Sequence, residues 1–234
     1  MILSAADRVM VIAHRGEHLQ HPENTLEAFQ GAIDAGADFF ELDVRTSADG
    51  KLVLMHDATV DRMTNGKGEI AQMTFEEIRK LDVRGSRVPQ FAEALRLARG
   101  KIGVYVDCKR VTATDLAAAV GSADRVVIYG GANFLKEVST LRPELKMMPE
   151  AGSVNQLSAL LSTMRLKVVA FDAKDFVHEV IQLAREAHTD IYVDRLGSAD
   201  NEAAWQDAID RGATGIQTDH PAQLVAFLKS KGYR

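Results

Sequence analysis

The chain has 234 residues, of which 46% are hydrophobic and 26% charged, with one cysteine and a formal net charge of −5. A chain of this length hides roughly 70–75% of its unfolded surface, and its composition is near the soluble average, which excludes disorder, collagen and coiled coil. One cysteine makes neither an internal disulfide nor a cysteine-rich zinc site. An acidic chain without a basic run is not built to hold a nucleic-acid backbone.

No apolar run approaches the roughly 20 residues needed to cross a bilayer. The opening stretch, residues 1–8, lacks a basic n-region followed by a long apolar h-region. The expectation is a cytoplasmic, reduced protein without a membrane span.

In chain order, short apolar runs alternate with segments of helical spacing. Val9–Ala13 is followed by Thr25–Ala35, where Leu26, Phe29, Ala32 and Ile33 fall on one helix face. Phe39–Val44 and Leu52–Met55 come next. Thr74 and Glu77 then form a capping box that opens a short helix to about Leu81. Beyond it, the runs Ile102–Val106, Arg125–Tyr129, Lys146–Met148, Val168–Phe171, Ile191–Val193 and Thr214–Thr218 read as strands. Phe91–Ala98, Ala113–Val120, Phe134–Leu141, Val154–Met164, His178–Ala187 and Asn201–Arg211 read as helices. Gly36, Gly100 and Gly212 follow three helices, as left-handed stops do.

Continuous apolar runs are the mark of buried parallel strands. From residue 101 they recur every 20–24 residues or so, one strand plus one helix each. Seven residues, Arg45 to Lys51, separate Val44 from Leu52 and include Asp49-Gly50. That is too short for a parallel crossover and is a hairpin signal, so Leu52–Met55 is expected to add antiparallel. Eight strand–helix units remain, the number of a (β/α)₈ TIM barrel. An open doubly wound sheet fits less well, because no Gly-x-Gly-x-x-Gly follows the first strand. Residues 57–88 form a small insertion after the second strand, expected to cover one side of the mouth. No linker divides the chain, so 1–234 reads as a single domain.

Barrel active sites sit at the carboxyl ends of the strands. Those ends here carry His14-Arg15-Gly16, Glu41-Leu42-Asp43, His56-Asp57 and Asp107-Cys108-Lys109. Glu41 and Asp43 are two apart on a strand and share a face. Two carboxylates in a barrel interior call for a compensating cation, and an all-oxygen set suits Mg²⁺ or Ca²⁺. Asp107 is the candidate third ligand. Arg15 and Lys109 supply two cations beside it, as a phosphate or phosphodiester requires. His14 and His56 suit acid–base work. Cys108 points toward the helices and reads as a small buried hydrophobe.

The residues His14-Arg15-Gly16, Pro22-Glu23-Asn24-Thr25, Glu41-Leu42-Asp43-Val44, Asp49-Gly50 to His56-Asp57, Thr64-Asn65-Gly66, Val88-Pro89, Asp107-Cys108-Lys109 and Thr218-Asp219-His220-Pro221 resemble the glycerophosphodiester phosphodiesterase family. The resemblance implies a (β/α)₈ barrel and metal-dependent hydrolysis of a glycerophosphodiester to an alcohol and glycerol 3-phosphate. It implies His14 and His56 as the acid–base pair, Glu41 and Asp43 as metal ligands, and Arg15 and Lys109 as substrate-binding residues. Glu23 and Asn24 then brace the first loop. Two features depart from the family. Its third ligand is usually a glutamate, whereas here it is Asp107. The fourth and seventh barrel strands end in Tyr129-Gly130-Gly131 and Asp194-Arg195, where a serine pair and an asparagine are usual. Both lie on the side expected for the leaving alcohol. A lysophospholipid or sugar phosphodiester is therefore the alternative substrate. The expected partner is a small-molecule phosphodiester, not a nucleic acid.

Overall fold

Fully apolar strand runs are satisfied only when both faces are covered, one by the barrel interior and one by helices. The computed structural model describes residues 8–234. The stretch 1–7, which carries most of the leader expectation, lies outside the described residues. Among the described residues, nine strands form one sheet: β1 (Met10–Ala13), β2 (Phe39–Thr46), β3 (Leu52–Leu54), β4 (Gly103–Arg110), β5 (Val126–Tyr129), β6 (Lys146–Met148), β7 (Val168–Phe171), β8 (Asp190–Asp194) and β9 (Gly215–Thr218). The helices among the described residues are α1 (Leu26–Asp34), α2 (Phe75–Arg79), α3 (Phe91–Ala98), α4 (Ala113–Val120), α5 (Ala132–Leu141), α6 (Val154–Thr163), α7 (His178–Glu186), α8 (Glu202–Asp210) and α9 (Pro221–Lys231).

The strand order is β6-β5-β4-β2-β1-β9-β8-β7, all parallel. β6 and β7 meet through a single Glu150–Ala170 bridge, with Ala151 N–H to Ala170 O at 2.8 Å and Ala170 N–H to Pro149 O at 3.0 Å. The result is a nearly closed barrel of eight parallel strands. β3 lies outside that ring, antiparallel to β2, as the Asp49-Gly50 turn predicts.

Strand alternation divides the side chains into two sets. Ile12, Phe39, Tyr105, Val127, Met148, Val168, Ala170 and Tyr192 fill the barrel interior. The opposite set, including Val11, Phe40, Leu42, Val106 and Ile128, packs outward against helix residues such as Phe29, Leu116 and Trp205. Each large side chain buried there contributes about 1.5–3 kcal/mol. Two residues beyond six of these interior groups the chain turns polar. His14, Glu41, Asp107, Tyr129, Glu150 and Asp194 occupy those positions and point into the carboxyl end of the barrel.

The segment between β3 and α3 has its own apolar cluster, including Val60, Met63, Ile70, Phe75 and Ile78. The Thr74–Glu77 capping box forms as expected, and α2 ends at Arg79. No helix among the described residues is long and apolar enough to cross a membrane. Helix α9 is absent from the sequence expectations. It packs against both α8 and β1, so its apolar residues Leu224, Val225, Phe227 and Leu228 spread over a broad arc rather than a narrow stripe.

Candidate active site

The first loop is held in an uncommon backbone shape. Arg15 and Gly16 follow β1 with φ of 53° and 83°, and Asn24 has φ of 58°. For a side-chain-bearing residue the left-handed region costs about 1–2 kcal/mol. Each turn serves β2. The Arg15 N–H donates to Glu41 Oε2 at 2.8 Å. Asn24 clamps Asp43 twice: its Nδ2 donates to Oδ2 at 2.7 Å, and its Oδ1 accepts from the Asp43 N–H at 3.0 Å. Thr25 then caps α1 by accepting from the Ala28 N–H.

Glu41 and Asp43 are 2% and 1% exposed. Asp107, on β4, is in register with Asp43. Oxygens of Glu41, Asp43 and Asp107 all lie within 4.8 Å of one another. Burial first, then the charges of Asp43 and Asp107, push the Glu41 carboxyl well above the usual carboxylate range. Burial likewise raises Asp107. Buried anions crowded this way cost several kcal/mol each unless a cation compensates them. The trio could hold a divalent metal, and its all-oxygen character fits a hard cation.

Two cations flank the trio. Lys109 Nζ donates to Asp107 Oδ2 at 2.6 Å and lies 3.3 Å from Asp43 Oδ1. Burial is the largest influence on Lys109 and opposes its charge, but Asp107, Asp43 and Glu41 together raise its pKa. Arg15 Nε is 3.5 Å from Asp43 Oδ2, buried and without a hydrogen-bond partner, while Nη1 donates to Glu23 at 3.0 Å.

His14 Nδ1 lies 2.7 Å from Asp219 Oδ1, which leaves Nε2 as the free ring nitrogen. Asp219 is itself fixed. Its N–H donates to Asp200 Oδ2 at 2.6 Å, and Asp200 Oδ1 accepts from Trp205 Nε1 and the Thr218 hydroxyl, both at 2.7 Å. Burial raises Asp219, but the bond and charge of His14 prevail and lower it. His18 packs edge-on against His14 and lies 3.4 Å from Asp219.

His56 follows β3 and is half-exposed. It stands at the rim rather than in the cavity wall that holds the other predicted residues. Its Nδ1 is 2.8 Å from Asp57. Arg62 donates to both Asp57 oxygens (2.7 and 3.1 Å) and both Glu23 oxygens (2.7 and 2.8 Å). The Arg62 bonds to Asp57, helped by His56, outweigh burial and hold Asp57 well below the usual carboxylate range. One guanidinium thus joins the insertion to the first loop.

The mouth encloses a cavity of about 280 Å³. His14, Arg15, Glu41, Asp43, Asp107 and Lys109 line one flank. Tyr129, Glu150, Asp194 and Gln217 line the other. The Tyr129 hydroxyl donates to Glu150 Oε2 at 2.7 Å. Burial and the charges of Asp107, Asp172 and Asp175 push Asp194 up to about 7. Glu150, Gln217 and Asp219 are absent from the sequence candidates. Strand parity carries a signal for Glu150 and Gln217, two beyond Met148 and Gly215. None exists for Asp219 on His14, a contact across 205 residues. Cys108 packs outward against the main core as expected, and burial raises its thiol.

Residues 14–117 match the model of the glycerophosphoryl diester phosphodiesterase family. A glycerophosphodiester phosphodiesterase of Caldanaerobacter subterraneus subsp. tengcongensis is 31% identical over 247 residues, covering 96% of this chain and 100% of that protein. The chain belongs to the glycerophosphodiester phosphodiesterase family. This is an enzyme family of phosphoric diester hydrolases. A glycerophosphodiester phosphodiesterase of Agrobacterium tumefaciens has a solved structure similar at a TM-score of 0.82 and 29% identity, covering 93% of this chain and 99% of that one. An Oleispira antarctica phosphodiesterase, solved with its product sn-glycerol-3-phosphate, shares the fold at a TM-score of 0.83 and 20% identity, covering 94% and 96% of the two chains.

Proposed function

We propose that this glycerophosphodiester phosphodiesterase family member hydrolyses small glycerophosphodiesters to an alcohol and glycerol 3-phosphate, in the cytoplasm, with Mg²⁺ or Ca²⁺. The observation that carries the reading is the crowding of Glu41, Asp43 and Asp107 beside Lys109 and Arg15, on the same cavity flank as His14. Residues 1–234 act as one catalytic domain, with 57–88 as its insertion.

Glu41, Asp43 and Asp107 would hold the metal, which would supply Lewis-acid neutralisation of charge on the phosphodiester oxygens. Arg15 and Lys109 bind the remaining phosphoryl oxygens and stabilise charge that grows on them. His56, oriented by Asp57, takes a proton from the attacking hydroxyl. His14, oriented by Asp219, gives a proton through Nε2 to the departing alkoxide. The attacking hydroxyl is the substrate's own glycerol hydroxyl, whose proximity favours it over water and leads first to a cyclic phosphate with release of the alcohol. A water then attacks the phosphorus, giving its proton to His14, while His56 returns a proton to the glycerol oxygen as the ring P–O bond breaks to leave glycerol 3-phosphate.

The test is direct. Purified protein with Mg²⁺ or Ca²⁺ releases glycerol 3-phosphate from a glycerophosphodiester, and EDTA abolishes release. His14→Ala and His56→Ala each lose about 10²–10⁴-fold in kcat while melting like the parent. Unchanged turnover in either variant removes that residue from its role.

A second reading, a lysophospholipid substrate, draws on exposed Leu19, Val154 and Val177, all beyond strand carboxyl ends. A strong rate preference for lysophospholipid over water-soluble diesters would replace the first reading with this one.

A further inference from the structure

The two flanks of the mouth differ in charge. The cavity's cations, Arg15 and Lys109, lie on the β1 and β4 side and are engaged by Glu23, Asp43 and Asp107. The opposite flank carries acceptors. Gln217 is 6% exposed, faces the cavity, and its Oε1 has no partner among the described residues. Its register neighbour Asp194 lines the same cavity, and no described side chain donates to its carboxylate. Glu150 receives the Tyr129 hydroxyl and the Asp172 N–H, which satisfies lone pairs but leaves its charge. Behind Glu150, oxygens of Asp172 and Asp175 lie within 4.8 Å, and Asp175 Oδ1 is also buried without a partner. The cation paired with this group is the exposed Lys174, 3.5 Å from Asp172.

Apart from the Gln217 amide N–H groups and the Tyr129 hydroxyl, which is committed to Glu150, the polar side chains of this flank offer acceptors and negative charge, and none of them is cationic. A neutral polyol supplies donors alone. A quaternary ammonium supplies charge alone, and is best held by aromatic faces. A primary ammonium supplies three donors and the charge together. Resting on the phosphodiesterase reading above, we propose that Asp194, Glu150 and Gln217 form a subsite that selects diesters whose leaving alcohol carries a primary ammonium group.

The experiment compares kcat/KM of the full chain, loaded with Mg²⁺, on sn-glycero-3-phosphoethanolamine, sn-glycero-3-phosphocholine and sn-glycero-3-phosphoglycerol. The primary ammonium diester is expected to lead the other two by about tenfold or more. Asp194→Asn keeps shape and removes charge, and is expected to cut that lead about tenfold, chiefly through KM. Glu150→Gln is the second variant and moves the ratio the same way. Raised salt narrows the lead in the parent. Turnover of all three diesters at equal kcat/KM overturns the subsite alone. So does a ratio unchanged in both variants when each melts like the parent. Absence of turnover on every diester overturns the phosphodiesterase reading, and the subsite with it.

Discussion

Gly16→Ala tests how the first loop is held. Gly16 has φ of +83°, and a Cβ built there falls 2.6 Å from the backbone carbonyl carbon of Ala28 and 2.8 Å from its Cβ. Gly36, after α1, has a similar φ of +78° with nothing within 4 Å. Both alanine variants incur about 1–2 kcal/mol for the left-handed backbone and regain about 0.4–1 kcal/mol from a stiffer unfolded chain. Those amounts cancel in the difference. Gly16→Ala alone forces a methyl into α1, at about 1–3 kcal/mol for overpacking. For a protein of this size that difference is roughly 2–12 °C in melting temperature. Relief of the clash must also shift the loop that places the Arg15 N–H on Glu41 and His14 on Asp219. Thermal melting of both variants, with initial rates on a glycerophosphodiester, is the assay. Gly16→Ala should melt lower than Gly36→Ala and lose activity that Gly36→Ala keeps. Equal melting temperatures would refute the close approach to α1 as the reason for glycine.

Asp219→Asn removes the carboxylate that orients His14, and kcat is expected to fall about 10²-fold with folding intact; initial rates at the parent's level would reject that role. Arg62→Ala unties the insertion from the first loop and is expected to lower kcat about tenfold, while the half-exposed ion pairs cost under about 1 kcal/mol in a melting experiment. Unchanged kcat would mean the tie is idle. Burial, with the charge of Glu150, pushes Asp175 up to about 7. The folded chain therefore keeps a proton that the unfolded chain releases near pH 4, and stability falls as pH rises from about 4 to 7. Asp175→Asn should melt higher than the parent above pH 7 and lose that advantage below about pH 4. A pH-independent difference would contradict the assignment.

The barrel was legible because its strands are apolar on both faces and its one antiparallel strand is announced by Asp49-Gly50. Strand ends were harder. β2 runs on through Arg45 and Thr46 because β3 pairs with them, and β4 reaches Arg110 because Arg45 pairs there. Polar residues stay in strand when a neighbour supplies the ladder, and an apolar run does not reveal the neighbour. Of the predicted site residues, all but His56 share one cavity flank. His56 stands outside that wall because β3 is not a barrel strand. The Asp219–His14 contact joins the first strand end to the last, and no spacing reports it. Gln217 sits in a short strand and Glu150 two residues beyond one, so the parity that turns them inward rests on few apolar residues and is a weak signal until pairing fixes it.

The Glu150–Ala170 bridge gives the barrel the mechanics of a split ring. Seven seams are continuous ladders, and the eighth is a clasp of two hydrogen bonds at Ala151 and Ala170. Two such bonds are worth about 1–3 kcal/mol together, well below a long ladder such as that between β2 and β4. The ring can therefore widen at that point without tearing elsewhere. Glu150 sits on the clasp, so the width of the mouth on its acidic side is the dimension of the barrel cheapest to alter. If this flank holds the leaving alcohol as proposed, a change in its width would alter the size of alcohol accepted while the flank holding Glu41, Asp43 and Asp107 keeps its register.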